Sequence, residues 1–210
     1  MAKLGAWEVN ISTNYPQKVA TAISKLGETL LGAEYEPILY LGSQVVKGTN
    51  HAVLAQQTVL SGKDTKNAVI LIFNEEPSTV EATLVSIERV VESGGELGGI
   101  VVDMTTNIPN DAKMELTNVL DGIVGIDIKP VAYVGSQVVK GTNQIFVAEV
   151  TAVVPNPTKR VALVVANSLT GELSMTDLLD TKFNSMNLGY AFTWLKRQNT
   201  SLGAPLGEWP

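Results

Sequence analysis

The feature that most constrains this chain is a nine-residue block that occurs twice. Residues 42–50 and 135–143 both read GSQVVKGTN and lie 93 positions apart. When residues 4–74 are compared with residues 97–167 without a gap, 23 of the 71 positions are identical. Chance would leave only a few matches, so the chain is a tandem duplication of one structural unit. We assign residues 1–93 to the first unit, 94–186 to the second, and 187–210 to a C-terminal arm.

Each unit opens with a predicted strand, a turn and a helix. In the first unit the strand covers residues 7–11, Asn14 is a suitable helix cap, and Pro16 suits the first helical turn. The apolar residues of the helix follow a spacing that places them on one face, and the second unit keeps that face with different residues. The two sets are Val19, Ile23, Leu26 and Leu30, and then Ala112, Leu116, Val119 and Ile123.

Three more strands are predicted after this helix. They cover residues 38–46, 52–59 and 68–73 in the first unit, and 131–139, 145–153 and 161–166 in the second. The last of each three is almost continuously apolar, which indicates a strand covered on both faces. A second helix is predicted to close each unit, over residues 79–91 and 172–183, because Val80, Leu84, Ile87 and Val91 share one helical face. The predicted fold class is therefore α+β, with the order β-α-β-β-β-α in each unit and helices packed on a mainly antiparallel sheet.

Composition excludes several kinds of function. The net charge of −6 argues against a nucleic-acid surface, which needs clustered Lys and Arg. The chain has no cysteine, so it offers no disulfide, thiolate nucleophile or Cys-based metal site. Its single histidine, His51, has Gln144 as its counterpart, and we read it as a surface or edge residue. Neither a Ser-His-Asp set nor metal-ligand spacing can be assembled, so we expect no enzyme activity, no catalytic residue, no cofactor and no metal.

The ends of the chain carry two further expectations. Residues 1–5 lack the long apolar run of a secretory signal, and no stretch approaches the roughly 18 apolar residues of a membrane span. We therefore expect cytoplasmic synthesis without a signal peptide, and no membrane partner. In the arm, Tyr190, Phe192 and Trp194 alternate along the chain, which indicates a strand or arm with one aromatic face. That face suits packing within the chain or contact with a neighbouring subunit.

The repeated pentapeptide Gln-Val-Val-Lys-Gly, flanked by strands and preceded by a helix, resembles the inhibitory hairpin of the cystatin family. Its residues are Gln44, Val45, Val46, Lys47 and Gly48 in the first unit, and Gln137, Val138, Val139, Lys140 and Gly141 in the second. The resemblance implies two tandem cystatin-like units, each with a helix wrapped by an antiparallel sheet that ends in a further strand. It also implies inhibition of papain-like cysteine proteases by three elements: a segment ending in glycine, this hairpin, and a second hairpin that often bears Pro-Trp.

The chain matches this pattern in part. By resemblance, Leu4-Gly5 and Leu97-Gly98 correspond to the segment that ends in glycine, although the second is internal to the chain. No Pro-Trp pair occurs, and the predicted closing helix differs from the final strand of the family. A rigid hairpin with glycine at its tip enters a cleft with its backbone already ordered, and Lys47 would suit an acidic partner. A plain β-turn would also account for the hairpin. Gene conversion, or one partner site contacted twice, would account for the identity of the two nine-residue blocks.

Two functions follow as hypotheses. The first is a non-catalytic structural or assembly protein that acts through protein–protein contacts in a homo- or hetero-oligomer. A phage virion component is one candidate, because Cys-free subunits rich in Val, Ala, Thr and Gly are common in phage particles. The second is a two-headed cystatin-type inhibitor of papain-like cysteine proteases. The predicted partner-binding residues are those of the two pentapeptides, together with Tyr190, Phe192 and Trp194 of the arm.

Overall fold

The computed structural model describes residues 5–61, 65–94 and 98–177. In this part of the chain, ten strands form two antiparallel sheets of five strands each. The first sheet contains β1 (Trp7–Ser12), β2 (Ala33–Val46), β3 (Gly48–Val59), β4 (Thr65–Glu75) and β5 (Thr83–Glu92). Strands that follow one another in the sequence are neighbours in the sheet, so every connection is local.

The second sheet repeats the first. It contains β6 (Ile100–Thr105), β7 (Ile126–Val139), β8 (Gly141–Ala152), β9 (Lys159–Asn167) and β10 (Leu173–Asp177), again in sequential order. The register repeats as well, since Trp7 lies opposite Gln44 and Ile100 lies opposite Gln137, which are positions 93 residues apart. The duplication seen in the sequence is therefore present in the strand pairing.

Three short helices connect the first two strands of each sheet. They are α1 (Gln17–Ser24) and α2 (Leu26–Thr29) in the first repeat, and α3 (Asn110–Leu120) in the second. Pro16 holds the cap position of α1 without a side-chain cap, so the prediction that Asn14 caps the helix was wrong. The backbone amide of Asn14 instead donates to Ser12 Oγ at 2.9 Å, in a turn that precedes the helix. Among the described residues, no helix is both long enough and apolar enough to cross a membrane.

The two sheets pack face to face around a shared apolar core. Leu54 and Ile70 of the first sheet enter this core together with Ile145 and Leu163 of the second. The helices cover the outer faces: α1 and α2 bury Val19 and Leu26 against the first sheet, and α3 buries Leu116 against the second. The layers are therefore helix, sheet, sheet and helix, and the large shared core lies between the sheets.

Strand β4 is covered on both faces, as its apolar run predicted. Alternate side chains turn to opposite sides of a strand. Ala68, Ile70 and Ile72 accordingly face the shared core, whereas Val69, Leu71 and Phe73 face the layer beneath α1 and α2.

The predicted fold class is wrong, because the described parts of both predicted closing helices contain strands; residues 178–183 of the second lie outside the described residues. Residues 83–92 form β5 and residues 173–177 form β10, so the described chain is mainly antiparallel β rather than α+β. The helical spacing in the first unit has a physical origin in two register shifts between β4 and β5. A β-bulge inserts one residue and so resets the alternation of faces. Leu84 and Ile87 thus face the same layer although they are three positions apart, as they would in a helix.

The C-terminal arm lies outside the described residues. This applies to all of residues 187–210, and therefore to Tyr190, Phe192 and Trp194. Their predicted contact role stays a prediction.

Candidate functional site

The turn between β2 and β3 is built around a glycine that the fold requires. Val46 pairs with Gly48 across the turn, which leaves Lys47 at the tip. Gly48 has φ +88°, and a Cβ at this position would lie 2.5 Å from the carbonyl oxygen of Glu75. The equivalent Gly141 has φ +86°, and a Cβ there would lie 2.6 Å from Leu169 Cβ, in the turn that follows β9. Only glycine combines the left-handed conformation with so close an approach, so the first tip lies against the end of β4 and the second against the turn after β9.

The first residue of the repeated block is also fixed by the fold. A Cβ on Gly42 would lie 2.2 Å from the carbonyl oxygen of Glu8, and one on Gly135 would lie 2.0 Å from that of Val101. Both glycines follow a register shift that bends the hairpin strand against the short first strand of its sheet. This contact brings the segment that begins each repeat alongside the hairpin.

A row of side-chain amides ties the first hairpin to its neighbours, and we call it the first amide ladder. Gln44 Nε2 donates to the carbonyl oxygen of Gly5 at 2.9 Å, and Gln44 Oε1 accepts from Asn50 Nδ2 at 3.1 Å. Asn74 Nδ2 then donates to Asn50 Oδ1 at 2.8 Å and lies 3.4 Å from the carbonyl oxygen of Lys47. The ladder crosses β2, β3 and β4 and holds both the hairpin tip and the segment at Gly5.

The second amide ladder has the same connections. Gln137 Nε2 donates to the carbonyl oxygen of Gly98 at 3.0 Å, and Asn143 Nδ2 donates to Gln137 Oε1 at 3.0 Å. Asn167 Nδ2 donates to Asn143 Oδ1 at 2.8 Å and to the carbonyl oxygen of Lys140 at 3.3 Å. The residues that complete the ladders, Asn74 and Asn167, were not among the predicted site residues. Their identity across the duplication was the sequence signal that points to them.

These contacts separate the predicted site residues into two groups. The side chains of Gln44 and Gln137 bond within the protein, and Gly48 and Gly141 shape the turns. The remaining residues lie outward. They are Val45, Val46 and Lys47, with exposures of 41%, 38% and 94%, and their counterparts Val138 and Lys140, which are exposed, and Val139, which is half-buried.

Three chain segments meet at each hairpin tip. In the first repeat these are Gly5, whose amide donates to the carbonyl oxygen of Val45 at 3.2 Å, the tip itself, and the connection that follows β4. Within that connection Glu76 lies 3.9 Å from the Lys47 ammonium, and Val80 is 90% exposed. In the second repeat the corresponding segments are Gly98, the tip at Lys140, and the turn after β9, where Leu169 is exposed. The sequence pattern had placed Val80 on the apolar face of a predicted helix, so its exposure was missed, and no pattern had indicated Leu169.

Behind the first tip lies a buried histidine, so the prediction of a surface or edge position for His51 was wrong. Its Nδ1 is 2.9 Å from Tyr40 Oη, and its Nε2 is 3.4 Å from Glu75 Oε2 without a hydrogen-bond partner among the described residues. Burial lowers the pKa of His51, and the nearby Glu75 carboxylate opposes that effect only in part. Burial likewise raises the pKa of Tyr40. Both groups are therefore held in their neutral forms, and we infer that the Tyr40 hydroxyl donates to Nδ1.

The second repeat replaces this pair with uncharged chemistry. Tyr133 Oη donates to Gln144 Oε1 at 2.9 Å, where Gln144 occupies the position of His51. Burial again raises the pKa of the tyrosine. Because glutamine serves equally well as the acceptor, the position supports the hairpin and need not carry a titratable group.

Within residues 5–61, 65–94 and 98–177, no three His, Cys, Asp or Glu side chains cluster in a way that could hold a metal ion. What each end offers is a stiff, convex tip with two valines and a lysine. The function is therefore inferred from this geometry. Neither protein-family models nor curated proteins match the chain.

Proposed function

We propose that this protein is a non-catalytic structural or assembly protein that acts through protein–protein contacts of its two hairpin tips. The observation that supports this proposal is the Val-Val-Lys sequence that both tips share. The glycines and amides of the repeated block have contacts within the fold that account for their identity. The lysine and the first valine of each tip are exposed instead, so a partner gives a reason for keeping them.

Divergence elsewhere strengthens this reasoning. Outside the repeated block, only 14 of the other 62 compared positions are identical. Exposed apolar residues at other places have changed in character, as Val101 and its counterpart Glu8 show. Exposed apolar side chains grouped at one place mark contact surfaces. A tip held by an amide ladder also loses little conformational freedom on binding, which favours affinity.

A phage virion component is one form that such an assembly protein could take. The support is compositional: the chain has no cysteine, and Gly, Val, Ala and Thr are abundant. Under this proposal the tips contact other subunits of a particle.

Site-specific crosslinking tests the contact role directly. Because the chain has no cysteine, Lys47→Cys and Lys140→Cys each create a single attachment point for a photoreactive group. Met114→Cys on α3 is the matched control, because Met114 is exposed and lies on a helix on the outer face of the second sheet. We expect both tip positions to capture the same protein from assembled particles or from extracts of the source cells. Equal capture from Met114→Cys, or capture of nothing from either tip, would contradict the proposal.

A second candidate function is inhibition of papain-like cysteine proteases. The specific observation in its favour is that Gly5, the tip at Lys47 and the connection after β4 lie side by side. The cystatin resemblance implies an inhibitor with three elements of this kind. The strand β5, found where a helix was expected, supports the resemblance further because the family ends its sheet with a strand.

Titration of papain with the protein tests this candidate. Val45→Asp and Val138→Asp place a charge on each exposed tip without entering the core, and Met114→Asp serves as the control. Inhibition should weaken in each tip variant and disappear when both changes are combined. Full papain activity at micromolar protein removes this candidate and leaves the assembly role intact.

A further inference from the structure

The path of the chain between the two sheets shows how the hairpin tips are oriented. Strand β5 begins beside the first tip, where Thr83 pairs with Asn74. It ends at the other end of the sheet, along the strand direction, where Glu92 pairs with Asn67. Just beyond it, the amide of Gly94 donates to the carbonyl oxygen of Ile100 at 3.1 Å. Ile100 lies opposite Gln137, which is three positions before Lys140 at the second tip. The second tip therefore lies near the end of the first sheet that is farthest from the first tip.

Strand β6 then runs back along the first sheet. Four residues after Ile100, the amide of Met104 donates to Gln56 Oε1 at 3.0 Å, and Gln56 lies three residues inside the far end of β3. The adjacent Asp103 lies 3.6 Å from the Lys66 ammonium near the start of β4. Movement from Ile100 to Met104 thus leads away from the second tip and toward the first. The second hairpin therefore points away from the first tip, beyond the far end of the first sheet.

The distance between the tips follows from strand length. Strand β3 has 12 residues and runs from the first tip to the far end of its sheet. At roughly 3.3 Å per residue this strand is about 36 Å long. The second tip extends beyond that far end, so the tips are separated by about 35 Å or more. One binding cleft cannot hold both of them.

We propose that the two tips are separate docking sites for two molecules of one partner class, and that a single chain bridges these molecules from opposite ends. This inference depends on the proposed contact function of the tips. Because both tips carry Val-Val-Lys, the same partner surface fits each of them. The chemistry indicates a protein cleft with an apolar wall for the valines and an acidic group for the lysine. Lys47 suits such a group because its side chain is almost fully exposed.

Binding of a monovalent antibody fragment tests whether both ends accept a protein at once. The fragment is raised against the shared nine-residue block, presented as a closed hairpin peptide, and is selected for binding to the full chain. Light scattering then gives the number of fragments bound to each chain. We expect two on the unaltered protein, one on Lys47→Glu, one on Lys140→Glu, and none on the double variant. One fragment on the unaltered protein, with one still bound to each single variant, would show mutually exclusive sites and overturn the proposal.

A distance measurement gives a second, independent readout. Spin labels on Lys47→Cys and Lys140→Cys are the only labels in this cysteine-free chain. We expect a separation above roughly 30 Å, and a separation below roughly 20 Å would overturn the proposal. Two bound fragments together with no partner captured from the tips would remove the proposed function while leaving the two-ended geometry in place.

Discussion

The two repeats present the same hairpin on different supports. In the first, the residue after the repeated block is His51, buried between Tyr40 and Glu75. In the second, Gln144 fills that position and bonds only as a neutral acceptor from Tyr133. The glycines and the amide ladders are identical, so the geometry of the hairpin depends on them. The position behind them tolerates either a titratable or a neutral side chain.

The ladders also differ in how deeply they are buried. Gln137 and Asn143 are each only 2% exposed, whereas Gln44 and Asn50 are half-buried. A hydrogen bond that water cannot replace costs more when it is broken. The second hairpin should therefore depend more strongly on its amides, and the first should respond more strongly to pH.

The largest effect is expected where the two repeats are alike. Gly42→Ala and Gly135→Ala each force a methyl group to about 2 Å from a backbone oxygen, at φ values of +153° and +155°. Neighbouring backbone cannot give way as a flexible side chain can. We expect each variant to lose on the order of 3 kcal/mol of unfolding free energy, measured by urea denaturation.

Gly27→Ala is the matched control for these two substitutions. Gly27 lies in α2, has no atom within 4 Å of an added Cβ, and does not have a positive φ. Alanine favours helix over glycine, so this variant should be unchanged or slightly more stable. If Gly42→Ala were as stable as Gly27→Ala, the close contact between β1 and β2 would be wrong.

A second prediction separates the two amide ladders. Asn143→Ala removes a buried hydrogen bond to Gln137 Oε1 and should cost about 1–3 kcal/mol. Asn50→Ala removes the same bonds where water can enter, so its cost should be about 1 kcal/mol or less. Thermal and urea unfolding of the two variants give the comparison. Equal losses would show that burial does not distinguish the ladders.

Sequence reasoning located the hairpins because their signal is local. A glycine at a tight turn and an alternation of apolar residues can be recognised from neighbouring residues alone. The apolar run of β4 likewise predicted correctly that this strand is covered on both faces. The helix predicted over residues 79–91 failed because two bulges gave a strand the spacing of a helix. Pairing with β4 decides that outcome, and pairing across a sheet is not written in the segment itself.

The candidate site was predictable to a similar degree. The tip residues Val45, Val46 and Lys47 were named from sequence, and they are exposed. The burial of His51 was missed because it depends on Tyr40 and Glu75, which reach it from β2 and β4. The direction of the second hairpin depends on how two sheets pack, a property that periodicity along one chain does not contain.

A third prediction concerns pH, and the difference between His51 and Gln144 defines it. Because burial lowers the pKa of His51 in the folded protein, the unfolded chain binds the proton first as pH falls. Stability should be constant above roughly pH 6.5 with respect to this group. It should then decrease as pH falls from there through the lower folded-state pKa.

His51→Gln isolates this effect, since it installs the residue that the second repeat already uses. The difference in unfolding free energy between the unaltered protein and the variant, followed from pH 8 to pH 5, should grow only on the acidic side. Subtraction removes the contribution of carboxylates that titrate in both proteins. The charged groups facing the ring are Glu75 and, through it, Lys18, and both stay in place in the variant. A difference that does not change with pH would contradict the buried, neutral state of His51.

The smallest effect on stability is expected at the tips themselves. Lys47→Ala removes only a 3.9 Å contact with Glu76, between an almost fully exposed ammonium and a partly exposed carboxylate. Exposed ion pairs of this kind contribute little, so the melting temperature should stay unchanged within about 1 °C. Lys140→Ala should behave in the same way because that side chain is also exposed. If either variant lost as much stability as we expect for Asn143→Ala, the role of the lysine in the fold would explain why both tips carry it. The identity of the two tips would then no longer indicate a partner.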